Sequence, residues 1–152
     1  MSTLFSSLRV GPLTLANRIV VPPMSQYSAR ADGIATPWHA QHIGGLAVSG
    51  AGMVICEANG VTADGRITPH CLGLWNHDQA QALQTLLAGI RTYSSTPIGV
   101  QLNHAGRKAG TNAPWRSQGA SLSDEEGGWP TVAPSDRKST RLNSSHSRAA
   151  RM

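Results

Sequence analysis

The sequence predicts an α/β fold built on a parallel sheet. Short apolar runs, "RIVVPP", "GMVICEA" and "TPIGVQLNH", alternate with longer stretches of helical period, "TPWHAQHIGGLAVSG" and "NHDQAQALQTLLAGIRTYSS". Strands that alternate with helices pair in parallel through right-handed crossovers. Polar and ligand-capable groups gather where each apolar run stops: Pro22–Tyr27, Glu57–Gly60 and Gln101–Arg107. A doubly wound sheet and a (β/α)8 barrel both fit this pattern, and both place a ligand at the carboxyl ends of the strands.

Each element has a local cause. "LRVGPLTL" sets two apolar runs around Gly11-Pro12, which predicts a small β-hairpin over 8–15. "RIVVPP" is a short buried strand over 18–21, stopped by two prolines that cannot donate to a ladder. Thr36 and Pro37 are an N-cap and a first helical residue, so a helix runs from 37 to 48 and ends near Gly50. "GMVICEA" is a second strand over 52–57. Asn76 or Asp78 caps the next helix, with Ala80, Leu83, Leu86, Leu87 and Ile90 on its apolar stripe. A third strand covers 97–102. After His104 come thirty residues rich in Gly, Pro, Ser and Trp, too many for an ordinary connection and long enough for a functional loop.

Several stretches invite a chemical reading. "GGLAVSGAG" carries glycines, but a dinucleotide fingerprint follows a strand and opens a helix, whereas this stretch ends a helix and enters a strand. Helix capping and close packing explain it better. His39 and His42 in "WHAQH" lie one turn apart, but no Glu follows in register and no third ligand is present, so they read as structural histidines. "PPMSQY" reads equally as a strand-terminating turn and as a stiff backbone turned towards a ligand. Gln101 sits between core and mouth, where a carboxamide pairs with a donor–acceptor edge. His104 and Arg107 read as loop-fixing residues.

Bulk properties exclude other classes. The chain has 152 residues and a formal net charge of +5. Residues 136–152 hold Arg137, Lys138, Arg141, Arg148 and Arg151 against Asp136, so the body is nearly neutral. A nucleic-acid reading therefore rests on the tail alone, which lacks interleaved aromatics or a recognition element. Cys56 and Cys71 form neither a CxxC nor a disulfide framework, and Cys56 is expected to be buried and reduced. "MSTLFSSLRVG" is no signal peptide, and no apolar run approaches a membrane span. A soluble cytoplasmic protein is the default expectation.

Taken together, "LANRIVVPPMSQYS", "DGIATPWHAQHIGGLA", "EANGVTADGRIT", "LGLW" and "GVQLNHAGRKA" resemble the Old Yellow Enzyme family of flavin oxidoreductases, most closely its bacterial xenobiotic-reductase-like ene-reductases. The likeness runs from about residue 4 to Ser135. It implies an FMN-binding (β/α)8 TIM barrel closed at the bottom by an N-terminal hairpin, which decides between the two architectures. It also implies that Pro22, Pro23, Met24 and Ser25 line the flavin, that Ala58 packs close to the ring, and that Gln101 bonds its pyrimidine edge. Tyr27 would face the substrate. In the family NAD(P)H reduces FMN, which passes hydride to an activated alkene: an α,β-unsaturated carbonyl or nitro compound. No nucleic acid or membrane partner is implied, and the complete protein is compatible with a homo-oligomer.

The chain departs from the family pattern in two places. Ser25 stands where that branch usually has Cys. The family's substrate-anchoring His pair, Tyr proton donor and phosphate site lie further along the barrel, and nothing in 108–152 supplies them, so no catalytic residue is assigned here. A complete barrel needs about 250 residues. Residues 1–135 are therefore expected to be its N-terminal part. Residues 136–152 are expected to be a non-native, disordered tail, because "DRKSTRLNSSH" is an in-frame reading of a common short-read sequencing adapter. Such a fragment is expected to be inactive alone. Two other readings stand beside this one: a related FMN barrel oxidoreductase such as a dienoyl-CoA reductase, and a non-catalytic binding protein with a basic tail.

Overall fold

The computed structural model describes residues 3–117 and 120–134; the basic stretch 136–152 lies outside the described residues. The chain opens with β1 (Leu8–Val10) and β2 (Leu13–Leu15), an antiparallel pair turned by Gly11 at φ 56°. The expected hairpin is present. Three parallel strands follow: β3 (Val20–Val21), β4 (Met53–Gly60) and β5 (Ile98–Asn103), in the order β3-β4-β5. Sequential order of this kind is shared by the first strands of a barrel and by one half of a doubly wound sheet.

Two helices make the crossovers: α1 (Pro37–Ala47) and α2 (His77–Arg91). Ile43 and Ala47 of α1, Cys56 of β4 and Ile90 of α2 form the buried core, with Leu86, Ile98 and Val100 packed against it. Both helices thus cover one face of the sheet. The expected capping and helix–strand packing by the glycines after Ile43 are seen only in altered form: Val48 is the helix cap, and a Cβ on Gly44 would meet the Tyr93 hydroxyl beyond α2, not a strand. Gly50 takes φ 86° where the chain turns into β4.

The elements differ from expectation in two instructive places. β4 runs three residues past the predicted end, because the ladder shifts register between Cys56 and Ala58 and resumes with Ala58 opposite Gln101. Glu57 is the extra residue, and a bulge of this kind re-aims the side chains beyond it. On α2, Ala80 is exposed rather than on the buried stripe, and Gln79 is buried in its place. The Gln79 carboxamide oxygen accepts the N–H groups of Trp75 and Asn76 at 2.8 and 3.2 Å, and its NH2 donates to Asp32 O at 2.7 Å. Capping of the helix start, with Asn76 accepting Gln79 N–H at 3.0 Å, overrides the apolar periodicity.

The loops at the carboxyl ends are tied together by Arg66. Its guanidinium donates to the carbonyls of Ala31, Ala63 and Pro69 at 2.7, 2.8 and 2.9 Å. It also lies 5.2 Å from the Trp75 ring and 5.3 Å from the Trp129 ring, a cation–π contact on each. The long loop after β5 carries a 3-10 turn (Gly106–Lys108), a one-turn helix α3 (Pro114–Ser117) and a bridge between Thr111 and Ser121.

Candidate flavin site

The strand ends bring the predicted residues onto one side of the sheet. Ala58 and Gln101 are register partners on adjacent strands, so a small side chain stands beside an exposed carboxamide. Below them Gly99 leaves room for Met53 and Ile55, its nearest neighbours on that face. The sequence Pro22–Ser25 leaves β3 without secondary structure, and Met24 is exposed. The prolines have no N–H, and the N–H groups of Met24 and Ser25 donate to no acceptor among the described residues. This side therefore offers two open backbone donors, an amide that both donates and accepts, and a floor of small side chains.

A buried carboxylate, not singled out in the sequence, holds that segment in place. Glu57 Oε2 accepts Gln26 N–H at 2.9 Å, and the Gln26 side chain spans from Met24 O (2.8 Å) to Trp38 Nε1 (3.2 Å). Glu57 Oε1 faces His39 Nε2 at 3.3 Å, with both side chains almost fully buried. His39 Nδ1 accepts Thr36 N–H at 3.0 Å, which leaves the proton on Nε2, the ring nitrogen nearer the carboxylate. That second contact lacks good hydrogen-bond geometry, so the Gln26 bond is the firmer of the two. His39 is thus the structural histidine expected, a residue of the helix cap. His42 stacks on Trp38 with centroids 6.2 Å apart. No group of three or more metal-ligating side chains exists among the described residues. A lone Glu inside an apolar strand was the available signal for Glu57.

Tyr27 is the one non-glycine residue with positive φ, at 52°, among the described residues. For a bulky side chain this region costs about 1–3 kcal/mol and persists only where neighbours impose it. Here Gln26 N–H is bound to Glu57, Ser28 Oγ donates to Gln26 O at 2.9 Å, and Ala29 N–H donates to His70 O at 3.0 Å. The strained turn points the ring at Trp115, edge to face with centroids 5.4 Å apart. Burial, then the nearby Cys71 thiol, push the phenol above its ordinary pKa, while the Ser25 side chain pulls the other way. Tyr27 is therefore a neutral donor at pH 7. His104 fixes the loop, its Nδ1 accepting Gly106 N–H at 3.1 Å, and Arg107 is half-buried in the same turn.

Residues 3–141 match the family model described as the NADH:flavin oxidoreductase / NADH oxidase family. The chain belongs to that family. It is 43% identical over 133 residues to an NADH:flavin oxidoreductase of Gibberella zeae, covering 86% of this chain and 32% of that one. It is 48% identical over 110 residues to an NADPH dehydrogenase of Listeria monocytogenes, covering 72% of this chain and 32% of the relative. The Old Yellow Enzyme homologue from Zymomonas mobilis superposes with a TM-score of 0.74 at 26% identity, over 99% of this chain and 40% of that one. The chain thus spans about a third of the length of the curated relatives it matches.

These matches settle the architecture: the hairpin and three parallel strands are the N-terminal part of an Old Yellow Enzyme TIM barrel. A closed barrel buries one face of its sheet as the interior and opens at the strand ends. Pro22–Ser25, Ala58 and Gln101 lie at or near the carboxyl ends of β3, β4 and β5. Tyr27 lies just beyond, turned towards the long loop. Among the described residues no helix is long and apolar enough to cross a membrane.

Proposed function

We propose that the protein carrying this segment is an FMN-dependent oxidoreductase that uses NAD(P)H to reduce activated C=C bonds in α,β-unsaturated carbonyl or nitro compounds, as an ene-reductase of the xenobiotic-reductase-like branch. The observation that carries the reading is the pairing of Ala58 with Gln101 on strands next to β3, whose end carries the Met24 and Ser25 N–H groups that donate to no acceptor among the described residues. A flat heterocycle with alternating donors and acceptors along one edge requires such a set: a small residue for close approach, a carboxamide, and fixed backbone dipoles.

Bound FMN would accept hydride from NAD(P)H and deliver it to the alkene. This chain's residues would do the holding. Gln101 would bond the pyrimidine edge, the Pro22–Ser25 backbone would lie near the N5–C4 side, and Ala58 would leave the ring room. Glu57, through Gln26, keeps that backbone in one conformation, so its donors need no reorganisation during the reaction. Tyr27 contributes a neutral hydroxyl on the substrate side. The phosphate site, the substrate-anchoring His pair and the proton donor are proposed to lie in barrel units beyond residue 135. Residues 136–152 are proposed to be non-native, and resequencing the locus past codon 135 tests this.

The functional reading is tested in a full-length protein carrying this segment. Gln101→Leu should weaken FMN binding by about 1–3 kcal/mol, because the pyrimidine edge stays buried but loses its partner. Titration of apoprotein with FMN reads this directly, and an unchanged dissociation constant would remove Gln101 from the site.

A further inference from the structure

Beyond the strand ends, the turn at Tyr27 opens into a cleft of about 220 Å³ under the long loop. One wall is aromatic, formed by Tyr27 and Trp115. The rest of the lining is mixed, with the polar Thr68, Asn112, Arg116 and Glu126 beside Pro69 and Leu122. We propose that this cleft is a distal subsite that takes a second, uncharged ring of the alkene substrate, and that Trp115 is its principal contact. The inference rests on the functional reading above, because it takes the reacting alkene to lie beside Tyr27.

Size and chemistry both point to such a ligand. A cavity of about 150 Å³ holds one benzene ring, so this one takes a single ring with a small substituent but not a second nucleotide. An aromatic corner set edge to face binds a third ring in the same herringbone manner. The polar lining favours a neutral guest: Arg116 and Glu126 carry opposite charges, so neither an anion nor a cation gains a net field. Thr68 and Asn112 can serve a carbonyl or hydroxyl on the ring.

Continuity with the flavin side is supplied by Tyr27 itself. It follows Ser25 by two residues, in the segment assigned to the flavin, while its ring forms the cleft wall. A molecule with its alkene at Ser25 and Tyr27 can therefore extend a substituent past the Tyr27 ring into the cleft. Trp115 is 68% exposed although large and apolar. Nothing in the core needs it, which suits a side chain kept for a ligand.

The test compares two probes in the full-length flavoprotein, by calorimetry with the oxidised enzyme and by steady-state turnover. Cyclohex-2-enone has only the reacting ring, and 4-phenylcyclohex-2-enone adds a distal one. Trp115→Ala should lower the preference for the two-ring probe over the one-ring probe about tenfold, in Kd and in kcat/KM, with Trp115→Phe restoring most of it. An unchanged ratio would overturn the subsite even if both probes bind more weakly. The visible FMN band separates this from the functional reading. A flavin-loaded protein with an unchanged ratio refutes the cleft alone. A protein without flavin refutes the ene-reductase reading, while the calorimetric ratio still decides whether the cleft binds a ring.

Discussion

The carboxylate of Glu57 accepts the backbone N–H of Gln26 at 2.9 Å, so a buried residue of β4 fixes the loop that leaves β3. The bond crosses between neighbouring strand ends and meets the chain one residue before the strained Tyr27. Burying a carboxylate without such partners would be costly. The same bulge that puts Glu57 out of the ladder brings Ala58 level with Gln101. One local irregularity thus sets both the rigid loop and the register of the proposed flavin contacts.

Removing that acceptor should be expensive. In the full-length protein Glu57→Ala leaves Gln26 N–H without its acceptor, at about 1–3 kcal/mol, and removes the carboxylate that faces His39. Glu57→Gln keeps one acceptor oxygen and should lose less than half as much. Urea unfolding of both variants reads the difference. Equal losses would mean that the side chain fills space and does not hold the loop.

Ser25 should influence the flavin electronically. It follows the open Met24 N–H and precedes Tyr27 by two residues, so it stands in the chain between the proposed flavin and substrate contacts. Ser25→Cys puts a polarisable sulfur there and should shift the FMN midpoint potential and the rate of flavin reduction with FMN still bound. Spectroelectrochemistry checks this, and an unmoved potential would place Ser25 away from the ring.

Both cysteines should be silent to thiol reagents in the folded protein. Cys56 and Cys71 are buried, and burial, then the Glu57 charge, raise the Cys56 pKa from 9.0 to about 11. Burial likewise raises that of Cys71, against the pull of its Thr68 contacts. Between pH 9 and 11 the unfolded Cys56 loses a proton that the native one keeps. Stability present below pH 9 is therefore lost as pH rises through that window, by at most about 1.4 kcal/mol per pH unit. Absorbance titration with a disulfide reagent at pH 8 should show no thiol until urea is added. Rapid labelling of the native protein would contradict the burial.

The sequence carried most of the framework because its causes are local. Thr36-Pro37 and Asn76 start helices, Gly11-Pro12 turns the hairpin, and three apolar runs mark strands whose polar ends form the proposed site. What it did not carry depends on through-space pairing. The register shift at Glu57 has no signature in "CEANG", which reads as a strand running into a loop. Gln79 replaces Ala80 in the interior because its amide is spent on Trp75, Asn76 and Asp32, and a hydropathy pattern does not anticipate that. Tyr27 and Trp115 meet across the whole length of the sheet's two crossovers, so no spacing rule joins them.

The 152-residue chain by itself should neither hold FMN nor stay monomeric. Two helices cover one face of the sheet, and the other face is bare: Val20, the register partner of Met53 there, is 41% exposed, and Gln101 is exposed beyond Gly99. In a closed barrel that face is filled by side chains from the remaining strands. β3 and β5 are each paired on one side only among the described residues, and open edges of apolar strands recruit other chains. The proposed contacts grip the pyrimidine edge and one side of the flavin, leaving the phosphate and the other side to water. Purified with excess FMN, the chain should elute as a large assembly without a stoichiometric flavin band and without NADPH-dependent reduction of cyclohexenone. A monomer that retains one FMN through gel filtration would show instead that these three strands form a working flavin-binding module.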